Sequence, residues 1–264
     1  MRRFLFTCLL TLALVPARAT TELSCVGADF PFIYEQGKDG SRGLAVDLLK
    51  ELGGQLDFRC RFEHYPWKRA QSLVVEGKAD LLIGPYRTRE RQAKMRFVGL
   101  PFYLDAMLVY VQRDKPQPAW RGDLQALRGY SVGVVRGWTL GQRYEYVRSQ
   151  LQLDEADTLV QSFQKLLAGR IQAVMSNERN ARIVLLQLGI NGEVTALAPA
   201  IQQTGGYMAL APGRVDPALA EGLDRALQEA VRSGRVQALS QRYGLNFPGK
   251  RYDWRDYLQQ ELAE

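Results

Sequence analysis

Histidine is almost absent from this sequence: His64 is the only one among 264 residues, and no two cysteines have the C-x-x-C spacing. Metal sites in proteins are built mainly from clustered histidine, cysteine and carboxylate side chains. We therefore expect no metal and no other cofactor. The sequence also lacks the G-x-S-x-G, H-E-x-x-H and P-loop motifs, and so it indicates no catalytic residue.

Long apolar runs are also missing, apart from one short run near the N-terminus. Two arginines precede this run at residues 4–15, and an A-x-A pattern follows at residues 17–19. The arrangement is typical of a secretory signal peptide, whereas a membrane-spanning helix needs about 20 apolar residues. We therefore expect residues 1–19 to be a signal peptide and the mature chain, beginning at Thr20, to be soluble and exported.

Charge of one sign is not concentrated anywhere in the chain. The formal net charge is +7, and it falls to +4 without residues 1–19, because that segment contains three arginines and no acid. Nucleic-acid-binding proteins gather basic residues on one face. Here lysine and arginine are dispersed among 28 acids, and we expect no nucleic-acid partner.

Only two cysteines remain after the predicted cleavage, Cys25 and Cys60. Each lies in an apolar segment, and disulfides persist in exported proteins. If those segments are neighbouring strands in matching register, a disulfide between them is geometrically allowed. Two separately buried thiols are the alternative, and the sequence does not decide between them.

Short strand-like runs alternate with amphipathic helical runs along the rest of the chain. The alternation predicts an α/β fold in which mostly parallel sheets carry helices on their faces. A proline-containing stretch at residues 113–119 divides the alternating strands and helices into two sets, which predicts two α/β lobes. Gly43 precedes the first helix, and Gly53 and Gly54 are expected to follow it. The predicted strands are 23–28, 56–62, 81–83, 108–111, 131–135, 158–160, 173–175 and 204–210, and the predicted helices are 44–52, 67–75, one from about 140, 163–168, 181–188, 217–231 and 236–243.

Glycine, proline and aromatic residues collect where the predicted strands end. Five such loops lie at residues 29–32, 65–67, 84–86, 137–139 and 176–177. In an open α/β sheet the ligand binds outside the carboxyl ends of the strands. We therefore expect these loops to line one cleft.

Short motifs follow one another in a set order over nearly the whole mature chain. They are P-F-I-Y, G-L-A-V-D-L-L, Y-P-W, E-G-K-A-D-L-L-I, T-R-E-R, F-V-G-L-P-F-Y, V-G-V-V-R-G-W-T and G-R-I-Q-A-V-M-S-N. In this order and spacing the chain resembles the extracellular solute-binding protein family 3, the periplasmic receptors of polar amino acid ABC transporters.

The resemblance implies a type II periplasmic binding protein fold, in which two lobes are joined by two crossing strands. Each lobe would be a mostly parallel sheet flanked by helices. The crossing strands would be residues 106–111 and 204–210, lobe 1 residues 20–111 and 204–264, and lobe 2 residues 112–203. The resemblance also implies a periplasmic monomer that binds a small-molecule ligand and works with an ABC transporter permease or a membrane sensor.

The resemblance also implies that Arg91, in T-R-E-R, forms a bidentate pair with the carboxylate of the ligand. The chemistry fits, because a planar and permanently charged guanidinium matches the two oxygens of a carboxylate. Gly137, Trp138 and Thr139 follow a predicted strand and precede a helix, where backbone N–H groups would add an anion site. A solvated helix position for Arg91 and an ordinary turn at Gly137 are the alternatives.

We expect aromatic residues in the same loops to enclose the body of the ligand, because rings offer large apolar area and bind cations on their faces. Ordinary core packing is the alternative for each ring. Together with Gly84 and Thr88, the candidate contacts of the first lobe are Phe30, Tyr34, Trp67 and Tyr86.

Two departures from the family pattern concern the ligand. Asn177 stands where amino acid receptors usually carry an aspartate that holds the ammonium of the ligand. A neutral amide does not supply the charge attraction of a carboxylate. The loop at Gly84-Pro85-Tyr86 is one residue shorter than usual, and its proline lacks an N–H donor. We therefore expect a carboxylate-bearing, amino-acid-like ligand that need not be a standard α-amino acid.

An enzyme on the same fold is the alternative, since periplasmic cyclohexadienyl (arogenate or prephenate) dehydratases resemble this family. Such chemistry needs a general acid or base in the cleft. Glu63, His64 and Glu178 are the candidates, and none of them belongs to a recognisable catalytic motif. We therefore expect a binding protein and not an enzyme.

The C-terminal tail, residues 249–264, extends past the point where such domains commonly end. Its aromatic residues, Tyr252, Trp254 and Tyr257, lie among charged residues. We expect the tail to pack on lobe 1, with docking of a partner as the alternative.

Overall fold

The computed structural model describes residues 20–249 and 252–263, and the predicted signal peptide at residues 1–19 lies outside the described residues. The strands are β1 Thr21–Gly27, β2 Glu35–Gly37, β3 Gly40–Arg42, β4 Phe58–His64, β5 Leu81–Tyr86, β6 Arg96–Phe97, β7 Tyr103–Gln112, β8 Ser131–Val135, β9 Gln152–Ala156, β10 Ala173–Asn177, β11 Val194–Ala196 and β12 Gln202–Leu210. The α-helices are α1 Leu44–Leu56, α2 Trp67–Val75, α3 Arg89–Gln92, α4 Gln142–Val147, α5 Leu159–Leu167, α6 Glu178–Leu188, α7 Pro217–Arg232, α8 Arg235–Arg242 and α9 Trp254–Ala263.

Most strands form one continuous sheet with the order β4-β1-β5-β12-β7-β10-β8-β9. β1, β4 and β5 run parallel to one another, as do β8, β9 and β10. β7 and β12 lie between these two groups, pair with each other and run antiparallel to their neighbours. The parallel groups are the sheets of two lobes, and β7 and β12 connect them. Within the described residues no helix has the length and apolarity to cross a membrane.

Helices cover both faces of each group of parallel strands. In lobe 1, α1, α7 and α8 bury one face around Leu48 and Phe58, and α2 covers the other face around Val74. In lobe 2, α4 packs on one face through Tyr144, and α5 and α6 cover the other around Phe163. Because the faces are covered, groups that contact a ligand have to come from the loops at the strand ends.

Hydrophobic periodicity predicts most of these elements to within a few residues. α2 and β8 have the predicted bounds. α1 is longer than predicted, because Gly53 and Gly54 lie inside the helix and not after it. A Cβ added at Gly53 would lie 2.5 Å from the carbonyl oxygen of Phe58. Glycine at this position therefore lets β4 start close to the helix that precedes it.

The predicted strand at residues 158–160 is wrong, because these residues begin α5 and the strand β9 lies earlier in the chain. Thr158 Oγ1 accepts a hydrogen bond from the Gln161 backbone N–H (3.2 Å). Gln161 Oε1 accepts one in return from the Thr158 backbone N–H (3.1 Å). This reciprocal capping box satisfies two N–H groups at the helix start, and the T-x-x-Q spacing is its sequence signal.

The C-terminal helix α9 packs on lobe 1, which confirms the prediction for the tail. Trp254 and Leu258 contact the core of lobe 1. The Trp254 ring also stacks on Phe247, with 5.3 Å between the ring centres. Tyr257 is buried. Trp254 and Tyr257 therefore serve packing, whereas Tyr252 is 38% exposed.

A disulfide joins Cys25 and Cys60, and the disulfide alternative is confirmed. The two residues lie on the neighbouring parallel strands β1 and β4, with 5.5 Å between their Cα atoms. Cys60 pairs in register with Leu23, and Cys25 pairs with Phe62. The bridge therefore links positions that are two residues apart in register.

Replacing Cys25 and Cys60 by alanine is expected to lower the free energy of unfolding by ~2–4 kcal/mol, because the bridge restricts the unfolded chain over a sequence separation of 35 residues. The melting temperature should fall by roughly 10 °C, since 1 kcal/mol corresponds to ~2–4 °C for a chain of this size. Circular dichroism melts of the oxidised wild type and the double variant provide the measurement. Coincident melting curves would show that the bridge does not stabilise the fold.

Candidate functional site

The cleft between the lobes contains two adjoining cavities. The outer cavity has a volume of about 700 Å³ and lies between α2 and α3 on one side and α4 on the other. The inner cavity has a volume of about 30 Å³, which is room for about one water molecule. Arg91, Trp138 and Thr139 line both cavities and therefore lie at their junction.

Ten of the eleven ligand contacts predicted from the sequence line these cavities, so the loops at the strand ends do meet in one cleft. Besides the three residues at the junction, Thr88 and Gly137 line the outer cavity. The inner cavity is lined by Phe30, Trp67, Gly84, Tyr86 and Asn177.

Tyr34 is the predicted contact that the structure does not bring to the cleft. Its ring is fully buried in the core of lobe 1 and stacks on His64, with 4.0 Å between ring centres. Its hydroxyl donates to the carbonyl oxygen of Glu63 (3.1 Å). The backbone N–H of Phe30 donates to the carbonyl oxygen of Tyr34 (2.7 Å), which closes a tight turn. Only the Phe30 ring reaches the cavity from this turn, and Tyr34 is a core residue.

Arg91 directs its guanidinium from α3 into the junction of the two cavities. Nε donates to Gln71 Oε1 (3.0 Å), and Nη1 donates to the carbonyl oxygen of Tyr86 (3.0 Å). Cζ lies 5.4 Å from the centre of the Trp67 ring. Within the described part of the chain Arg91 forms no salt bridge, and its protein acceptors are neutral. A guanidinium has five N–H donors, so donors on both Nη atoms remain for a ligand.

The T-R-E-R motif places Arg91 by forming the one-turn helix α3. Thr88 is its N-cap, and Thr88 Oγ1 accepts a hydrogen bond from the Arg91 backbone N–H (3.2 Å). Arg89 is exposed, and the exposed Lys94 pairs with Glu90 (2.7 Å), whereas Arg91 is partly buried. Desolvation lowers the pKa of Arg91, but Arg91 stays charged because the ordinary pKa of arginine lies far above neutral pH. Arg89 and Lys94 line only the outer cavity, and Arg91 is therefore the residue whose guanidinium lies at the junction of the two cavities.

Phe30 and Trp67 form an aromatic wall of the inner cavity, with ring centres 5.3 Å apart in an edge-to-face arrangement. Gly84 lies directly behind Phe30. Its φ is +84°, and an added Cβ would lie 3.2 Å from the Phe30 ring and 3.2 Å from the Tyr103 hydroxyl. Glycine is needed here both for the backbone conformation and for the close approach of the ring.

Gly84→Ala is expected to lower the free energy of unfolding by ~1–3 kcal/mol, because alanine is strained at this φ and its Cβ presses on Phe30. Gly54→Ala is the matched control, since Gly54 lies inside α1 and an added Cβ would meet nothing within 4 Å. The control should raise stability by ~0.5–1 kcal/mol. Urea denaturation measures both variants, and effects of the same sign would contradict this account of Gly84.

A buried ion pair with no counterpart among the sequence predictions lies beside the inner cavity. Arg179 Nε and Nη2 donate to Oδ1 and Oδ2 of Asp105 at 3.1 and 2.7 Å. Tyr86 Oη donates to Asp105 Oδ2 (2.6 Å), and Asn177 Nδ2 donates to Tyr86 Oη (3.3 Å). The side chains of Arg179 and Asp105 are 6% and 4% exposed. Both charges are therefore paired and hydrogen-bonded, as buried ions require.

The same contacts fix the protonation states of Tyr86 and Arg179. Burial and the carboxylate of Asp105 raise the pKa of Tyr86 well above its usual range. Burial acts to lower the pKa of Arg179, but the charge of Asp105 and the hydrogen bonds to it raise that pKa overall. Tyr86 therefore remains a hydroxyl donor, and Arg179 remains a cation.

Four hydrogen bonds of this network cross between the lobes, and two of them are those from Arg179 to Asp105 of β7. Asn177 ends β10 of lobe 2, and Tyr86, to which it donates, ends β5 of lobe 1. Arg179 Nη1 donates to the carbonyl oxygen of Pro31 in lobe 1 (3.2 Å). These bonds hold the lobes together at the inner end of the cleft. The small volume of the inner cavity follows from that contact.

The turn at residues 137–139 lies between β8 and α4, and it is separated from the first residue of the helix by Leu140 and Gly141. α4 begins only at Gln142, because Gly141, with a φ of +101°, extends the turn before the helix. The Trp138 backbone N–H donates to the carbonyl oxygen of Val135 (3.0 Å). Residues 137–139 therefore line the cleft as a turn before α4, and the helix predicted from about residue 140 begins two residues later.

The three acid–base candidates lie outside both cavities. Glu63 and His64 belong to β4, where ring nitrogens of His64 lie 2.9 Å from Ser41 Oγ and 2.9 Å from Asp29 Oδ1. Glu178 is exposed at the start of α6. In the described ranges no group of three or more His, Cys, Asp or Glu side chains is arranged to hold a metal ion.

Two lobes, a pair of connecting strands and a cleft lined from both sides define a type II periplasmic binding protein fold, which confirms the predicted fold class. Residues 24–246 match the model of the bacterial extracellular solute-binding proteins, family 3. The chain belongs to this family. Members bind small-molecule ligands and work with ABC importers.

Individual relatives are more distant. A probable histidine-binding protein of Neisseria gonorrhoeae is 29% identical over 110 residues, and the chain matches only 40% of the length of that curated relative and 41% of its own. A histidine kinase sensor domain with similarity to periplasmic binding proteins has a TM-score of 0.71 at 20% identity, over 88% of this chain and 100% of that chain. An ancestral arginine-binding protein bound to arginine has a TM-score of 0.67 at 21% identity, over 86% and 99%. These two structural likenesses show the fold alone.

Proposed function

We propose that this protein is a periplasmic solute-binding protein that captures a small, carboxylate-bearing ligand between its lobes and presents it to a membrane ABC transporter or a sensor. One observation carries the proposal. Arg91 holds a partly buried guanidinium at the junction of the two cavities, on neutral acceptors and with no salt bridge to the described residues. A guanidinium in such a place binds a carboxylate through parallel, charge-assisted hydrogen bonds.

Closure of the lobes around the ligand is the proposed mechanism. Lobe 1 comprises residues 20–111 and 204–264 and lobe 2 residues 112–203, a division supported by the end of β7 at Gln112 and the start of β12 at Gln202. A ligand on Arg91 of lobe 1 also reaches the turn at residues 137–139 of lobe 2. Such contacts are complete only when the lobes meet, so the ligand stabilises the closed arrangement.

The cellular setting is also part of the proposal. The predicted signal peptide at residues 1–19 and the disulfide between Cys25 and Cys60 support export to the oxidising periplasm. There the protein acts as a monomer, and its membrane partner is an ABC transporter permease or a sensor. The similarity to a histidine kinase sensor domain supports a sensor, and the similarity to the substrate-binding protein of an amino acid ABC transporter supports a permease.

Isothermal titration calorimetry of the mature protein against small carboxylic acids, amino acids among them, tests the proposal. Each acid that binds is compared with its primary amide, which has nearly the same shape and no negative charge. The acid is expected to bind at least ~10-fold more tightly. The fluorescence of Trp67 and Trp138, which line the inner cavity, gives a second readout. An amide that binds as well as its acid, or flat titrations of the folded protein across the panel, would contradict the proposal.

A further inference from the structure

The inner cavity has an unusual charge balance for a receptor of zwitterions. Its lining contains two guanidinium groups, those of Arg91 and Arg179, and no carboxylate from the described residues. An α-amino acid brings an ammonium as well as a carboxylate. In a poorly hydrated cleft, an ammonium is held much more strongly by an acceptor with negative charge than by aromatic rings or neutral oxygens. The lining therefore provides cations for the carboxylate of an amino acid and no anion for its ammonium.

Asp105, the carboxylate behind this lining, is fully engaged by the protein. Both of its oxygens accept from Arg179, and Oδ2 also accepts from the Tyr86 hydroxyl. Its side chain is 4% exposed. Freeing it for an ammonium would leave the buried guanidinium of Arg179 without its partner, which is strongly unfavourable.

The two asparagines of the lining also offer donors more than acceptors. Asn177 Oδ1 accepts from the backbone N–H of Asn180 (2.8 Å), since Asn177 is the N-cap of α6. Asn180 Oδ1 accepts from Arg179 Nη1 (3.2 Å). Each amide oxygen thus already accepts one hydrogen bond within the protein, and each amide NH₂ keeps at least one N–H that can be given to a ligand. Such a lining suits an acceptor oxygen.

The outer cavity does not compensate for this lack. Three glutamates line it, and each lies close to a cation of its own lobe. An ammonium at this depth would compete with an existing partner and also face the guanidinium of Arg91. The pairs are Glu76 with Lys78 (2.6 Å), Glu90 with Lys94 (2.7 Å) and Glu145 with Arg148 (4.0 Å).

We propose that the ligand is a carboxylic acid without an ammonium group, in which an acceptor oxygen occupies the place of the amino group, as in a 2-oxo or 2-hydroxy acid. This assignment rests on the proposed function and narrows its ligand class. The carboxylate binds Arg91, and the neighbouring oxygen accepts from the amides of Asn177 and Asn180. An ammonium at that point faces Arg179 with no free carboxylate, and like charges in an interface are strongly repelled.

Matched ligand pairs that differ only at Cα test this assignment by calorimetry. The pairs are pyruvate with L-alanine, 2-oxoglutarate with L-glutamate, and phenylpyruvate with L-phenylalanine. In the pair whose side chain fits best, the oxo acid is expected to bind at least ~100-fold more tightly than the amino acid. An amino acid that binds as tightly as its oxo acid, or more tightly, overturns the assignment.

Asn177→Asp supplies the missing carboxylate and keeps an N-cap residue, so the fold should be retained. Relative to the wild type, it is expected to raise the affinity for the amino acid by ~10-fold and to lower that for the oxo acid by a similar factor. Asn191→Asp, at an exposed turn outside the cavities, is the control and should leave the ratio unchanged. If Asn177→Asp leaves the ratio of the oxo-acid affinity to the amino-acid affinity unchanged, the role given to Asn177 is contradicted.

The outcomes also separate this assignment from the proposed function. If an amino acid binds best and loses affinity in Arg91→Met, the solute-binding function stands and the assignment fails. If no acid of the wider calorimetry panel binds, or if binding does not depend on Arg91, the proposed function fails and the assignment with it.

Discussion

Arg91→Met is expected to weaken binding of the best carboxylate ligand by ~100-fold or more. Removing one partner of a buried, hydrogen-bonded charge pair costs ~2–5 kcal/mol, and each ~1.4 kcal/mol is a factor of ten in affinity. Arg91 fits this case, because its guanidinium is partly buried and forms no salt bridge with the described residues. Methionine has a similar length and no charge, so the cleft keeps most of its packing.

Two further variants make the Arg91 experiment specific. Arg91→Lys keeps the charge and loses the planar fork, so an intermediate loss of ~10-fold is expected. Arg69→Met removes an exposed arginine of α2 that lines neither cavity, and its affinity should stay within ~2-fold of the wild type. Calorimetry on folded protein is the measurement. Equal affinities for the wild type and Arg91→Met would remove Arg91 from the ligand site.

Arg179→Met is expected to lower the free energy of unfolding by ~3–5 kcal/mol, because it leaves the buried carboxylate of Asp105 without its cation. The variant also loses the contact of Arg179 with Pro31, which crosses between the lobes. Urea denaturation measures the change, and the melting temperature should fall by roughly 10 °C. The effect is large because both side chains are almost completely buried.

The double variant Asp105→Asn with Arg179→Met distinguishes a stranded charge from general damage to the fold. Asparagine is neutral and can still accept from the Tyr86 hydroxyl, so at least half of the lost stability should return. Glu221→Ala, at the exposed pair with Arg225, is the control and should cost less than ~1 kcal/mol. A double variant no more stable than Arg179→Met would show that charge pairing is not what Arg179 contributes.

Local patterns predicted the elements of the fold well, and the reasons are visible in particular segments. The apolar spacing of residues 67–75, after a proline that stops the preceding strand, gives the bounds of α2. α1 shows the limit of the same reasoning. Its two glycines indicate an end to the helix, but the helix continues to Leu56. Gly53 is present for another reason, because β4 comes close to the helix at this position.

Most of the cleft lining was predictable because it comes from the loops at the strand ends, and Arg91 was predictable because one motif carries its chemistry. Arg91 belongs to a motif with a defined turn, and the structure places it at the cleft. Arg179 and Asp105 are 74 residues apart, and nothing in either local sequence indicates that β7 and α6 bring them together. Tyr34 is a predicted contact that the structure places in the core. A tight turn joins Phe30 and Tyr34, and the sequence does not show which of the two rings faces the cleft.

The central claim is tested most directly by a crystal structure of the mature protein with the acid that binds best in calorimetry. The carboxylate oxygens should lie ~2.7–2.9 Å from Nη1 and Nη2 of Arg91, between the lobes, with the turn at residues 137–139 on the opposite side. A bound acid whose carboxylate lies elsewhere, while Arg91 contacts only protein groups, would contradict the account.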